Sequence, residues 1–230
     1  MATPFECFLE EVLPGGVPDG LADRLRHIAR ALPTARGTNA ALDRDGDHYV
    51  YILRGTAKLV AQASGGREQV VAFHFAGDLV HVPRASPHRY ALAAITACEL
   101  LVFDAGDALD VARSDARFAV VLLERMIGSL ARAREVAVTL GRKRALERVA
   151  TFLLSVRDRG SPQAAAEEDI ALPMSRRDIA VNLAITVESI SREVGHLREE
   201  HLIETPARAR VRILDPVGLA RRAGLLAGAA

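Results

Sequence analysis

The chain has 230 residues, 50% of them hydrophobic and 26% charged, enough for one large domain or two modest ones. Thirty Lys and Arg against 29 Asp and Glu leave a formal net charge of +1, which argues against a strongly basic nucleic-acid coat protein. Two cysteines exclude a disulfide scaffold and fit a reducing compartment. Glu6, Glu10 and Glu11 in the first 14 residues speak against a secretory leader. No apolar run reaches the roughly 20 residues of a membrane helix, so a cytoplasmic protein without membrane contact is expected.

In chain order, the first predicted element is a helix over about Asp19 to Leu32, with Leu21, Leu25, Ile28 and Leu32 on one face. Short apolar or alternating runs come next. They are Tyr49–Leu53, Ala57–Ala61, Gln69–Phe75, Tyr90–Thr96 and Leu100–Phe103, punctuated by Gly55, Ser64-Gly65-Gly66 and Gly77-Asp78. Strands of this length between such turns predict an antiparallel roll or sandwich over residues 1–113.

From Ser114 the period becomes helical. Ala119, Leu123, Met126, Leu130, Ala133, Ala137 and Leu140 recur at gaps of four and three, the seam of a helix facing a partner helix, and predict a dimerisation helix over 114–140. The same stripe also suits a helix lying on its own sheet. A further helix runs from Lys143 to Val156, and residues 159–168 read as a polar connector.

The segment 172–214 carries the chemistry. Ser175, with Asp178 three residues on, opens a helix in which Ile179 and Leu183 point inward. After a break at Ala184-Ile185, Thr186 caps a second helix with Val187, Ile190, Val194 and Leu197 as its buried stripe. Two short helices joined this way form a helix-turn-helix, whose second helix offers its N-terminal residues to the major groove. Glu188, Ser191 and Arg192 stand at i, i+3 and i+4 on the other face. Arginine can fork onto guanine, glutamate accepts from cytosine, and serine approaches either kind of edge. A solvated Glu–Arg pair is the plainer reading of that spacing. The next stretch of chain favours base reading: Leu202–Glu204 and Val211–Leu214 bracket Arg208 and Arg210, a hairpin with a basic tip able to rest on phosphates.

Met174-Ser175-Arg176-Arg177-Asp178-Ile179-Ala180 with Thr186-Val187-Glu188-Ser189-Ile190-Ser191-Arg192 after it resembles the winged helix-turn-helix of the Crp/Fnr family, in its Fnr/FixK branch. Gly141–Ala150 is similar to the hinge of that branch, and Glu68–Val80 to its sheet corner. The resemblance implies an α+β protein: an N-terminal antiparallel β jelly roll of the cyclic-nucleotide-binding type, a long dimerisation helix, and a winged helix-turn-helix over 141–230. It further implies a homodimeric transcription regulator that binds double-stranded DNA and touches RNA polymerase. Glu188, Ser191 and Arg192 take the family's base-reading positions, which go with TTGAT-type inverted repeats. Ser175, Arg176, Thr186, Ser189, Arg208 and Arg210 are expected on the DNA backbone. Leu123, Met126, Leu130, Ala133, Ala137 and Leu140 are expected in the dimer seam. Ala184 departs from the glycine usual at the turn, a cost of roughly 1 kcal/mol if φ is positive there.

No cofactor is expected. Arg89-Tyr90-Ala91 replaces the small-hydroxyl phosphate cradle of cyclic-nucleotide binders. A cysteine-ligated cluster needs four thiolates, and only Cys7 and Cys98 are present. His74, His81 and His88 invite a haem or metal reading, but odd spacing places successive strand residues on opposite faces. A cupin-like enzyme, or ligand-binding protein, with a helical accessory domain is the alternative from another class. It lacks a His-x-His pair for a metal. A protein-binding winged helix is a third, and it leaves the Glu188 face without a role. The charge is uneven: residues 1–141 carry 15 basic and 17 acidic groups, residues 142–230 carry 15 and 12. The basic excess thus lies with the predicted DNA reader.

Overall fold

The computed structural model describes residues 2–43, 46–62, 68–84, 86–142, 144–159, 169–207 and 209–225, with the backbone alone at Asp19 and Arg142. Two compact units result, Met1–Arg132 and Ala133–Ala230.

The first unit opens with helix α1 (Pro4–Val12), capped reciprocally by Thr3 and Glu6 and started by proline, a residue suited to the first turn. Helix α2 (Asp19–Ile28) ends before Leu32, and β1 (Ala29–Thr34) takes up the residues expected in its last turn. The reason is local as well as tertiary. Leu32 precedes Pro33, which disfavours helical backbone, and β1 pairs along its whole length with β7 (Cys98–Asp104). Strands β2 (His48–Arg54), β3 (Thr56–Gln62), β4 (Glu68–Phe75), β5 (Leu79–Val82) and β6 (Arg89–Ala94) complete two antiparallel sheets, ordered β1-β7-β2-β5 and β4-β3-β6. The roll predicted from the alternating runs is present, with β1 and β5 added to it.

Val50, Ile52, Leu59, Val80, Leu92, Leu100 and Val102 fill the space between these sheets. A second cluster covers the outer face of the four-stranded sheet, where Phe8 meets Tyr51 edge-on and Leu21 and Leu25 of α2 are buried. Gly55 makes the β2–β3 turn at φ 95°, and a Cβ there would lie 2.4 Å from the Ala97 carbonyl oxygen, so only glycine fits.

Helix α3 (Ala105–Ser114), capped by the Asp104 carboxylate, leads into α4 (Ala116–Arg142). Phe118 and Leu122 of α4 are buried in the outer cluster, and Arg125 donates to the Gly77 carbonyl at 2.7 Å. That face fixes the opposite one. Leu123, Ile127 and Leu130 are 60%, 57% and 50% exposed, with Val120 beside them. Met126 instead packs against the roll, so Ile127 replaces it on the exposed stripe. A strict heptad misses this because an unsupercoiled helix drifts from a seven-residue repeat. Ala133 and Ala137 are exposed and Leu140 is half-buried.

The second unit packs α5 (Ala145–Arg159) against the recognition segment. Its core joins Val149, Leu153 and Val156 of α5 with Ile179, Leu183, Ile190, Leu197, Ile213 and Leu219. Elements β8 (Asp169–Ala171), α6 (Arg176–Leu183), α7 (Val187–Glu199), β9 (Ile203–Ala207), β10 (Arg210–Ile213) and α8 (Pro216–Arg222) complete it. β8, β10 and β9 form one antiparallel sheet with β10 in the middle. Of the expected connector 159–168, Arg159 ends α5 and residues 160–168 lie outside the described residues, as do Arg208 and Lys143. Among the described residues, no helix is long and apolar enough to cross a membrane.

Candidate nucleic-acid interface

Helix α6 starts where the sequence places it. The Ser175 hydroxyl accepts from the Asp178 amide at 3.0 Å, and the Asp178 carboxylate accepts from the Ser175 amide at 3.3 Å. Its end is set by Ala184 at φ 51°, ψ 47°, with Ile185 N–H donating to the Ala180 carbonyl at 3.0 Å. That six-residue closure with a left-handed residue inside is the Schellman turn, and it brings Thr186 into line to cap α7. The Thr186 hydroxyl accepts from the Ser189 amide at 3.1 Å.

The α7 helix buries Ile190, Val194 and Leu197. Val187 does not join them. At the first position of the helix it is 39% exposed, one turn short of the packed stripe. Glu188, Ser191 and Arg192 are all exposed on the side away from the core. The Glu188 carboxyl is held below its ordinary pKa by its own backbone N–H and then by the Thr186 hydroxyl, so it is an acceptor at neutral pH. Ser191 donates to the Val187 carbonyl at 3.2 Å. Arg192 donates through Nε to Glu193 at 3.1 Å and through Nη2 to the Ser189 hydroxyl at 3.4 Å. One exposed helix face thus offers an acid, a hydroxyl and a guanidinium, the groups needed to tell base edges apart.

Ser175, Arg176 and Thr186, expected on the phosphate backbone, are exposed at the N-termini of α6 and α7, and Ser189 is half-buried behind Arg192. Helix N-termini suit such anionic contacts. Arg210 is exposed on the wing, 3.8 Å from the Asp169 carboxylate. The short strand carrying Asp169 was not legible in the sequence. Arg212 is held by that same carboxylate at 2.8 Å and by Glu204 at 3.6 Å, so it braces the wing. Glu193, whose carboxyl group is buried, and Arg148, which donates to the Leu183 carbonyl at 2.9 Å, were also missed.

The cysteines and histidines are not brought together. Cys98 is buried in β7, its thiol donating to the Thr56 and Thr96 carbonyls, and burial raises its pKa, opposed by the Thr96 side chain and the Thr56 backbone. Cys7 lies on α1. Two thiols so placed do not fit the four-thiolate requirement of an iron–sulfur cluster. His74 in β4 lies 3.4 Å from Asp78, His81 in β5 lies 3.1 Å from Asp47, and His88 is exposed in a loop. Among the described residues, no group of three or more His, Cys, Asp or Glu is arranged to hold a metal.

Residues 147–222 match the model of a Crp-like helix-turn-helix domain. The nitrogen fixation regulation protein FixK of Azorhizobium caulinodans is 32% identical over 180 residues, covering 78% of this chain and 73% of that one. The chain belongs to the Crp/Fnr family. The transcriptional activator protein FnrA of Stutzerimonas stutzeri is 31% identical over 205 residues, covering 86% of this chain and 82% of its own. Among solved structures, FixK2 of Bradyrhizobium japonicum superposes with a TM-score of 0.73 at 28% identity, covering 88% of this chain and all of the other. A CooA mutant of Carboxydothermus hydrogenoformans shares the fold, with a TM-score of 0.72 at 17% identity. This Crp/Fnr member is a DNA-binding transcription regulator of α+β fold and not an enzyme, so the cupin-like enzyme alternative is set aside.

Proposed function

We propose that this Crp/Fnr protein is a homodimeric activator that reads TTGAT-type inverted repeats through α7 and contacts RNA polymerase. The single observation that carries the reading is the common exposed face of Glu188, Ser191 and Arg192, opposite the buried Ile190, Val194 and Leu197. A TTGAT half-site contains one G·C pair, offering guanine O6 and N7 to Arg192 and the cytosine amino group to Glu188. Ser175, Arg176, Thr186, Ser189, Arg208 and Arg210 hold the backbone on either side. Two copies bring two reading helices to one side of a duplex, with half-sites about one helical turn apart. The exposed Leu123, Ile127 and Leu130 supply the seam, together with Ala133, Ala137 and the half-buried Leu140. Activation is taken from the kinship with the transcriptional activator FnrA, and polymerase contact from what the resemblance to the Crp/Fnr family implies.

The protein carries no haem, iron–sulfur cluster or cyclic nucleotide in this reading, which rests on the engaged Cys98 thiol and on Tyr90 where a phosphate cradle needs a small hydroxyl. A gel-shift titration with a TTGAT inverted repeat and a scrambled duplex at physiological salt tests the DNA half. The repeat should bind far more tightly, and equal affinities overturn the proposal. Ultraviolet–visible absorption of anaerobically purified protein tests the rest. A featureless spectrum above the protein band is expected, and a Soret or charge-transfer band overturns the cofactor-free reading.

A further inference from the structure

Glu193 occupies a place on α7 where the packing asks for an apolar side chain. It comes directly after Arg192, precedes Val194 of the buried stripe, and is itself only 7% exposed. A carboxyl group in such a position needs its oxygens matched by hydrogen-bond partners. Both are matched from the same helix. Oε1 accepts from Arg192 Nε at 3.1 Å, and Oε2 lies 3.2 Å from His196 Nδ1. The acid is therefore clamped from both sides, and it in turn holds the arginine that the proposed reading assigns to guanine.

The geometry of the guanidinium gives this clamp a consequence. Arginine presents five N–H donors in a rigid planar fork. Glu193 takes the Nε–H, and the Ser189 hydroxyl takes one Nη2–H at 3.4 Å. Both are on one edge of the plane. The Nη1 and remaining Nη2 hydrogens stay available as an end-on fork, and that pair can span the O6 and N7 acceptors of guanine. An unclamped Arg192 can swing to a neighbouring phosphate instead, a contact that carries no sequence information. Holding the fork in place before DNA arrives removes part of the ordering cost of the specific contact.

We infer that Glu193 is a specificity-determining positioning residue. It fixes the Arg192 guanidinium for end-on reading of one guanine per half-site, with His196 holding its second oxygen. The inference rests on the proposed assignment of Arg192 as a base reader, and it touches DNA only through that arginine.

Selection of bound duplexes from a randomised pool, run in parallel with full-length wild type, Glu193→Leu and Glu193→Gln, tests it. Wild type should return a half-site with one strongly preferred G·C column. Glu193→Leu should lose about tenfold of the preference at that column alone, keeping the other columns and its affinity for scrambled duplex within about twofold. Glu193→Gln, which still accepts from Nε, should recover most of the preference. Melting by circular dichroism monitors folding, and Glu193→Met serves as a second apolar variant filling the same space. A wild-type consensus other than TTGAT overturns the proposed target site but leaves the Glu193 comparison intact. An unchanged G·C column in a folded apolar variant, or loss spread evenly over all columns, overturns the role of Glu193. Absence of any G·C column in wild type overturns it as well.

Discussion

Arg148 on α5 donates from Nη1 to the Leu183 carbonyl at 2.9 Å, and its Nη2 reaches the Leu140 carbonyl at the same distance. Nη1 also lies 3.3 Å from the Ala184 carbonyl. Those oxygens belong to the last turn of α4 and to the end of α6 with the residue beyond it, where helices leave carbonyls without internal partners. One half-buried guanidinium therefore closes two helix ends of the DNA-binding unit. Arg148→Ala should destabilise that unit by about 2–3 kcal/mol, the range for losing charge-assisted hydrogen bonds. Arg148→Lys should recover only part, because an ammonium cannot fork between the carbonyls. Urea unfolding tracked by circular dichroism checks both. A wild-type midpoint for Arg148→Ala would contradict the role.

Ala184 stands at φ 51° in the turn between α6 and α7, and His201 at φ 56° lies just past α7. They are the two non-glycine residues of positive φ among those described. An alanine in this region pays a steric penalty that glycine avoids, partly offset by the larger backbone entropy glycine loses on folding. Ala184→Gly should stabilise the DNA-binding unit by about 1 kcal/mol, several degrees in melting temperature for a unit of this size. DNA affinity should be retained, since the substitution leaves the Thr186 cap and the α7 face in place. A lowered melting temperature would show that the turn relaxes in solution.

That turn marks how far the sequence can be read. The helix-turn-helix was legible because its punctuation is local: Ser175 with Asp178 and Thr186 with Ser189 each cap a helix within four residues. The strands of the roll were legible from their alternation. The first helix has a local signal too, Thr3-Pro4 with Glu6, but its acids speak equally against a leader and so hid the cap. The features that stayed hidden depend on partners distant in the chain. β8 is three residues long and is defined by pairing with β10, some 40 positions away. Which stripe of α4 faces outward depends on Phe118 and Leu122 meeting the roll. The burial of Glu193 depends on how α7 packs on the rest of its unit, which the local sequence does not encode.

Two arginines at the interface should respond differently. Arg192→Ala should cost roughly 1–3 kcal/mol against the cognate site and relax discrimination at one base pair, as expected for a bidentate base contact. Arg176→Ala, at the exposed start of α6, should weaken cognate and scrambled duplexes about equally and lower the salt-dependence slope by about one unit. Anisotropy titrations at several salt concentrations separate the two patterns. An unchanged cognate preference in Arg192→Ala would remove that residue from the reading face.

His48 gives the first unit a pH dependence. Its ring is buried at the start of β2, with Nδ1 lacking a hydrogen-bond partner. Burial, then the nearby positive charge of Arg84, lowers its pKa, against the opposing pull of Asp104 and Asp43, with Arg30 adding a smaller lowering. The unfolded chain then binds the proton more tightly than the folded one. Above the ordinary histidine value of about 6.5 the imidazole is neutral in both states and its contribution is constant. As pH falls through that value towards the lowered folded value, stability is lost. Melting temperatures at pH 7.5 and 5.5 should fall less in His48→Gln than in wild type. Equal losses in the two proteins would assign the acid sensitivity to other groups.

The α4 stripe separates association from folding. Ile127 is 57% exposed beside Leu123 and Leu130, whereas Met126, one position earlier, packs on the roll. A charge at Ile127 therefore leaves the unit's own core intact but places an unpaired carboxylate in the proposed seam, where it would be desolvated without a partner. Ile127→Glu should yield a folded monomer by analytical ultracentrifugation, with wild-type melting behaviour extrapolated to low concentration, and should bind an inverted repeat no better than a single half-site. Met126→Ala should do the reverse. It should keep the dimer but lose about 1–2 kcal/mol of stability, since a half-buried methionine forfeits less than the 2–5 kcal/mol of a fully buried one. A dimeric Ile127→Glu protein would move the interface away from this face of α4.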